Sequence, residues 1–182
     1  MSKSRRLIHW HKVKGVKAIA AFIIATSGGA GLVPLAPGTM GSLVGIGVAF
    51  LIAPLQFHYK LLVWFTLTIV GIWAAKLFDQ LMNTEDNQNV VIDEVVGAGI
   101  SAWTAGTNPV ALLIAFVLFR FFDILKPFPV RLVDQWSKLK ASNKHSEKAA
   151  WWGGVGVMAD DVLASFQSLA VILILQYFKV IL

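Results

Sequence analysis

The chain has 182 residues, 57% hydrophobic and only 14% charged, with a mean hydropathy of +0.69; these values exclude an ordinary water-soluble domain and point to one integral membrane domain over 1–182. No Cys is present, which excludes disulfides, thiolate metal sites and cysteine-nucleophile chemistry. The net charge of +6 does not imply a nucleic-acid partner, because the bases gather in two blocks beside apolar stretches, as cytoplasmic membrane flanks do.

The first block is a basic tail over 1–17, holding Lys3, Arg5, Arg6, Lys12, Lys14 and Lys17. Residues 18–25 are apolar and read as a short interfacial or half-inserted helix. The stretch 27–42 is rich in Gly and Pro and is expected to be loop, with Thr39 or Ser42 capping the helix that follows. Apolar helices are expected over 43–57, 61–78, 90–105, 109–125 and 162–178. A polar segment, 79–89, separates the second from the third, and a basic cytoplasmic loop, 131–152, precedes the last. The expected fold is therefore all-α, a polytopic membrane helix bundle of about five apolar helices plus a short N-terminal interfacial helix. Both basic blocks lie on the cytoplasmic side only if an even number of crossings separates them, and four helices satisfy that.

None of the ten acids falls in the middle of an apolar stretch. Asp93 and Glu94 open the third helix, Asp123 closes the fourth beside Arg120 and Lys126, and Asp160 and Asp161 immediately precede the fifth. Under the topology above, these clusters share the cytoplasmic headgroup level with the Gly-Pro loop and with Glu85-Asp86-Asn87. Each has an ordinary explanation. Acids at a helix N-terminus gain about 0.3–1 kcal/mol from the macrodipole, Arg120 and Asp123 form an i,i+3 pair, and Gly153-Gly154-Val155-Gly156 makes a turn. Convergence of all of them at one membrane face favours a site instead. Carboxylates without Cys or a His partner suit a hard cation such as Mg²⁺, which bridges to phosphate oxygens and acidifies a bound water. Arg120, Lys126 and Arg131 are placed to neutralise a phosphate.

At these residues the sequence closely resembles the phosphatidylglycerophosphatase A family of bacterial membrane lipid phosphatases. Four segments carry the resemblance in order: Pro34-Leu35-Ala36-Pro37-Gly38-Thr39-Met40-Gly41-Ser42, Val91-Ile92-Asp93-Glu94-Val95-Val96-Gly97, Phe119-Arg120-Phe121-Phe122-Asp123-Ile124-Leu125-Lys126-Pro127-Phe128-Pro129, and Gly153-Gly154-Val155-Gly156-Val157-Met158-Ala159-Asp160-Asp161. The resemblance implies Mg²⁺-dependent conversion of phosphatidylglycerophosphate to phosphatidylglycerol at the cytoplasmic face of the bacterial inner membrane. On that reading Asp93, Glu94, Asp123, Asp160 and Asp161 supply metal ligands or a base. Arg120 and Lys126 hold the phosphate, Arg131, Thr39 and Ser42 are further candidate contacts, and either an activated water or one carboxylate attacks phosphorus. Two departures stand out: Phe128 replaces a usual Trp, and 136–152 reads as a polar, basic insertion suited to anionic headgroups. The Asp-x-Asp-x-Thr, Ser-Gly-His and paired Asp-Gly-x-x-Ala-Arg signatures of other lipid-phosphate enzymes are absent. The alternative is a small transporter or ion-binding membrane protein without phosphatase activity, which would want its charges near the bilayer midplane.

Overall fold

Local chemistry fixes the helix that carries Arg120 and Asp123. Asn108 Oδ1 accepts hydrogen bonds from the Val110 and Ala111 amides at 2.9 and 3.2 Å, and Pro109 takes the first helical position, where no N–H is needed. The helix stops at Leu125, because Lys126 turns left-handed (φ 43°) and Pro127 cannot continue the ladder. This is the expected 109–125 helix.

The computed structural model describes residues 8–84, 87–141 and 147–181. The tail 1–7, Glu85, Asp86 and the stretch 142–146 lie outside the described residues. Among those described, the chain is all-α with seven helices: α1 (Val16–Ala25), α2 (Pro37–Ile52), α3 (Phe57–Met82), α4 (Ile92–Ser101), α5 (Pro109–Leu125), α6 (Val130–Ala141) and α7 (Glu147–Tyr177). Helix α4 is central and packs against α2, α3, α5 and α7; α1 lies on α3, and α6 folds back on α7. Phe78, Met82, Val96, Met158 and Ile172 fill the main core.

Several expectations are corrected. Helix α2 starts at Pro37 with Ala36 as its N-cap, so Thr39 and Ser42 lie within the helix and neither caps it. The stretch 131–152 is largely helical, forming α6 and the first turns of α7. Helix α7 runs straight through Gly153-Gly154-Val155-Gly156, so Asp160 and Asp161 sit mid-helix and not at a helix start. Gly154 is there for close approach: a Cβ would lie 2.6 Å from the Ile72 carbonyl oxygen of α3. Helix α4 has ten residues, about 15 Å, half of the ~30 Å hydrocarbon thickness. Two segments, Phe57–Met82 and Trp151–Tyr177, are long and apolar enough to cross a membrane unaided.

One end of the bundle is marked by the α2–α3 and α4–α5 turns, whose Phe57 and Trp103 rings meet at 5.3 Å. The end of α7 reaches the same level, where Gln176 Nε2 donates to the Thr104 carbonyl at 3.2 Å. The other end holds the starts of α2 and α4 and the end of α5. There the α3–α4 link is tied down: Asp79 Oδ1 accepts from Thr84 Oγ1 at 2.8 Å and from the Asn87 amide at 3.1 Å, and the Val91 amide donates to the Ala25 carbonyl at 2.8 Å. Asn87, 1% exposed, is thus spent within its own loop, its Oδ1 accepting from the Asn89 amide at 3.0 Å and its Nδ2 donating to Thr84 Oγ1 at 3.2 Å.

Candidate active site

The first turn of α4, the last turns of α5 and the middle of α7 converge at this second end. Asp93, Glu94 and Asp161 each bring one carboxylate oxygen to a place where the three lie within 4.8 Å of one another. Asp93 Oδ1, Glu94 Oε2 and Asp161 Oδ2 are sealed from solvent and have no hydrogen-bond partner. Buried charges in natural proteins are paired or bind a metal, so three clustered acids with orphaned oxygens form a candidate cation site. An all-oxygen donor set without His or Cys fits Mg²⁺ or Ca²⁺ and does not fit zinc.

Asp123 and Asp160 are placed differently. Arg120 Nη1 donates to Asp123 Oδ2 one turn along α5 and stands 4.0 Å from Glu94 Oε1. Lys126 Nζ pairs with Asp160 across the α5–α7 gap. The left-handed backbone of Lys126 costs about 1 kcal/mol or more for a residue with a Cβ. The turn it makes is the one from which its ammonium meets Asp160. The five acids therefore differ in their neighbours: Asp93, Glu94 and Asp161 face one another, while Asp123 and Asp160 each meet a cation.

Other expected contacts fall elsewhere. Ser42 is fully buried and donates its hydroxyl to the Gly38 carbonyl at 2.8 Å, which commits it to the α2 backbone. Thr39 is half-buried in the first turn of α2. Arg131 is exposed on α6 and makes no ion pair with any of the five acids. Two positions gain roles that the residue types alone do not give. Gly38 lies under the site, where a Cβ would overlap Glu94 Oε1 and come within 3.2 Å of Arg120 Nη1. Gln167 Nε2 donates to the Phe128 carbonyl at 2.9 Å, tying α7 to the link that follows Lys126. A polar amide within an apolar helix was the only hint of it.

No solved structure is significantly similar to the chain. A Haemophilus influenzae protein named phosphatidylglycerophosphatase A is 35% identical over 158 residues, covering 85% of this chain and 88% of that protein. The Escherichia coli protein of the same name is 32% identical over 151 residues, covering 82% and 80% respectively. A Bacteroides thetaiotaomicron protein, described as a candidate phosphatidylinositol-3-phosphatase, is 34% identical over 164 residues, covering 85% and 92%. The family model for phosphatidylglycerophosphatase A matches residues 23–176, a span that contains every carboxylate and cation of the cluster. The chain belongs to the phosphatidylglycerophosphatase A family.

Proposed function

We propose that this protein is a membrane phosphatase that hydrolyses phosphatidylglycerophosphate to phosphatidylglycerol and phosphate, with Mg²⁺, at the cytoplasmic face. The observation that carries the reading is the set of three unpartnered, buried oxygens of Asp93, Glu94 and Asp161 beside two cations already held in place. Asp93, Glu94 and Asp161 would hold the ion. When bound, Mg²⁺ supplies positive charge to phosphate oxygens and acidifies water. Arg120 and Lys126 receive the terminal phosphate, Arg120 through a planar fork matched to its oxygens and Lys126 as a point charge. Asp123 and Asp160 hold those two cations in register before the substrate arrives, so little ordering remains to be done in the transition state. Water supplies the new oxygen on phosphorus, the bond from phosphorus to the glycerol oxygen breaks, and that oxygen leaves as the alcohol.

The charge distribution supports a cytoplasmic site. The basic tail precedes α1, which packs on the end of α3 near Phe78 and Met82, and the basic segment 131–148 follows Lys126 directly. Those contacts are at the site end of the bundle. The Bacteroides relative makes a phosphoinositide the natural competing substrate.

Protein reconstituted in vesicles should release phosphate from phosphatidylglycerophosphate in Mg²⁺ and stop in EDTA. Turnover that ignores EDTA would sink the metal assignment, and preference for phosphatidylinositol 3-phosphate would sink the substrate.

A further inference from the structure

Helix α6 carries a surface that the catalytic reading does not use. Leu132, Trp136 and Leu139, spaced i, i+4, i+7, form one exposed stripe, 53%, 43% and 75% accessible. Val130, at the helix start, is buried against α7 together with Ala164. The Trp136 ring meets Trp152 of α7 edge-on at 5.0 Å, and Lys76 of α3 sits 4.3 Å over the neighbouring Trp151 ring.

Depth along α7 says what faces this stripe. From Gln176, at the far end of the bundle, Asp160 is 16 residues away, about 24 Å, and Trp151 is 25 residues away, about 37 Å. A bilayer has a hydrocarbon core of about 30 Å and a total thickness of about 40–45 Å with headgroups. If the far end lies at one hydrocarbon boundary, the carboxylates lie just inside the opposite one, and Trp151, Trp152 and Trp136 lie in the headgroup layer beyond it, where Trp concentrates. The segment 131–148 also holds five Lys or Arg against two acids, the charge sign that complements an anionic leaflet.

We infer that α6 is an interfacial helix at the cytoplasmic headgroup level, its Leu132–Trp136–Leu139 stripe inserted among anionic phospholipids next to the site. It would anchor the α6–α7 hairpin in the leaflet from which an anionic lipid reaches Lys126. This does not depend on which lipid is hydrolysed.

The test uses the full chain, which lacks Cys, with a nitroxide on Leu132→Cys or, in a second variant, Leu139→Cys. Each is placed in nanodiscs of phosphatidylcholine alone and of phosphatidylcholine mixed with phosphatidylglycerol. The expected result is a label more accessible to oxygen than to a water-soluble nickel chelate, and more immobilised when phosphatidylglycerol is present. Free access of the nickel chelate at both positions would overturn the proposal, as would spectra identical in the two bilayers. Spin–spin broadening would replace the lipid with a second copy of the chain and likewise overturn it. None of these readouts involves turnover, so they are independent of the phosphatase assignment.

Discussion

Asp160 and Asp161 are neighbours in sequence yet serve different partners, because successive helical residues point about 100° apart. Asp161 turns to Asp93 and Glu94, and Asp160 to Lys126. Asp161→Asn and Glu94→Gln keep side-chain size and each remove one anionic ligand. Both should lower Mg²⁺ affinity and turnover, by about 10²-fold each. The double variant should fall by less than the product, since the two oxygens act on one ion. Titration calorimetry with Mg²⁺ alongside turnover checks both points, and unchanged Mg²⁺ affinity in both single variants would rule out the assigned ligand set. Gly38→Ala is the subtler change, since its methyl collides with Glu94 Oε1. It should cost at least about tenfold in kcat with little loss of thermal stability, read by kinetics and a melting curve, because the displaced group lies at the site. At Lys126, a glycine makes the left-handed turn without the Cβ strain that a methionine, like the native lysine, must bear. Both variants should raise KM, and Lys126→Gly should be the more stable by about 1 kcal/mol in a denaturation experiment.

At the scale of elements, what could be read in advance followed from how local the determinant was. Helix α5 was legible to both ends, since Asn108-Pro109 and Pro127 act through their own backbone. The start of α7 was not. Four residues with three glycines suggest a turn, but here the missing side chain serves a neighbour, letting α3 and α7 touch backbone to backbone. Helix α2 was misjudged at Pro37 for a related reason: the glycines that look like loop permit its approach to α4, where a Cβ at Gly41 would lie 2.8 Å from Val91 Cβ. The meeting of the acids at one end of the bundle was legible, because charges at the edges of apolar stretches are costly and therefore few. Their division into three that face one another and two that each meet a cation was not, since it depends on rotation about α4 and α7. If Gly154 serves close packing, Gly154→Val should lower stability by about 1–3 kcal/mol while leaving turnover per folded molecule near its original value. A stable, unperturbed Gly154→Val protein would mean that the α3–α7 contact tolerates separation.

For the whole molecule, the decisive quantity is which side of the membrane each bundle end occupies. Helices α2, α3, α4 and α5 each have one end at the level of the Phe57–Trp103 contact, and the turns there, 53–56 and 102–108, carry no Lys, Arg, Asp or Glu. The opposite end carries the five acids and leads into both basic blocks. Moving that many charges across a bilayer is opposed strongly, whereas the neutral turns cross readily, which supports the proposed orientation with the carboxylates inside. Single cysteines in this Cys-free chain report it directly. Gln56→Cys and Thr107→Cys, both at exposed positions of the uncharged turns, should react with a membrane-impermeant maleimide in intact cells. Lys14→Cys, exposed beside α1, should react only after permeabilisation. Labelling of Lys14→Cys from outside together with protection of the other two would invert the molecule and put the carboxylates on the wrong leaflet for a cytoplasmic substrate. Labelling of all three from one side would mean that neither long helix crosses at all, and the ~24 Å between Gln176 and Asp160 would then lie along the membrane and not through it.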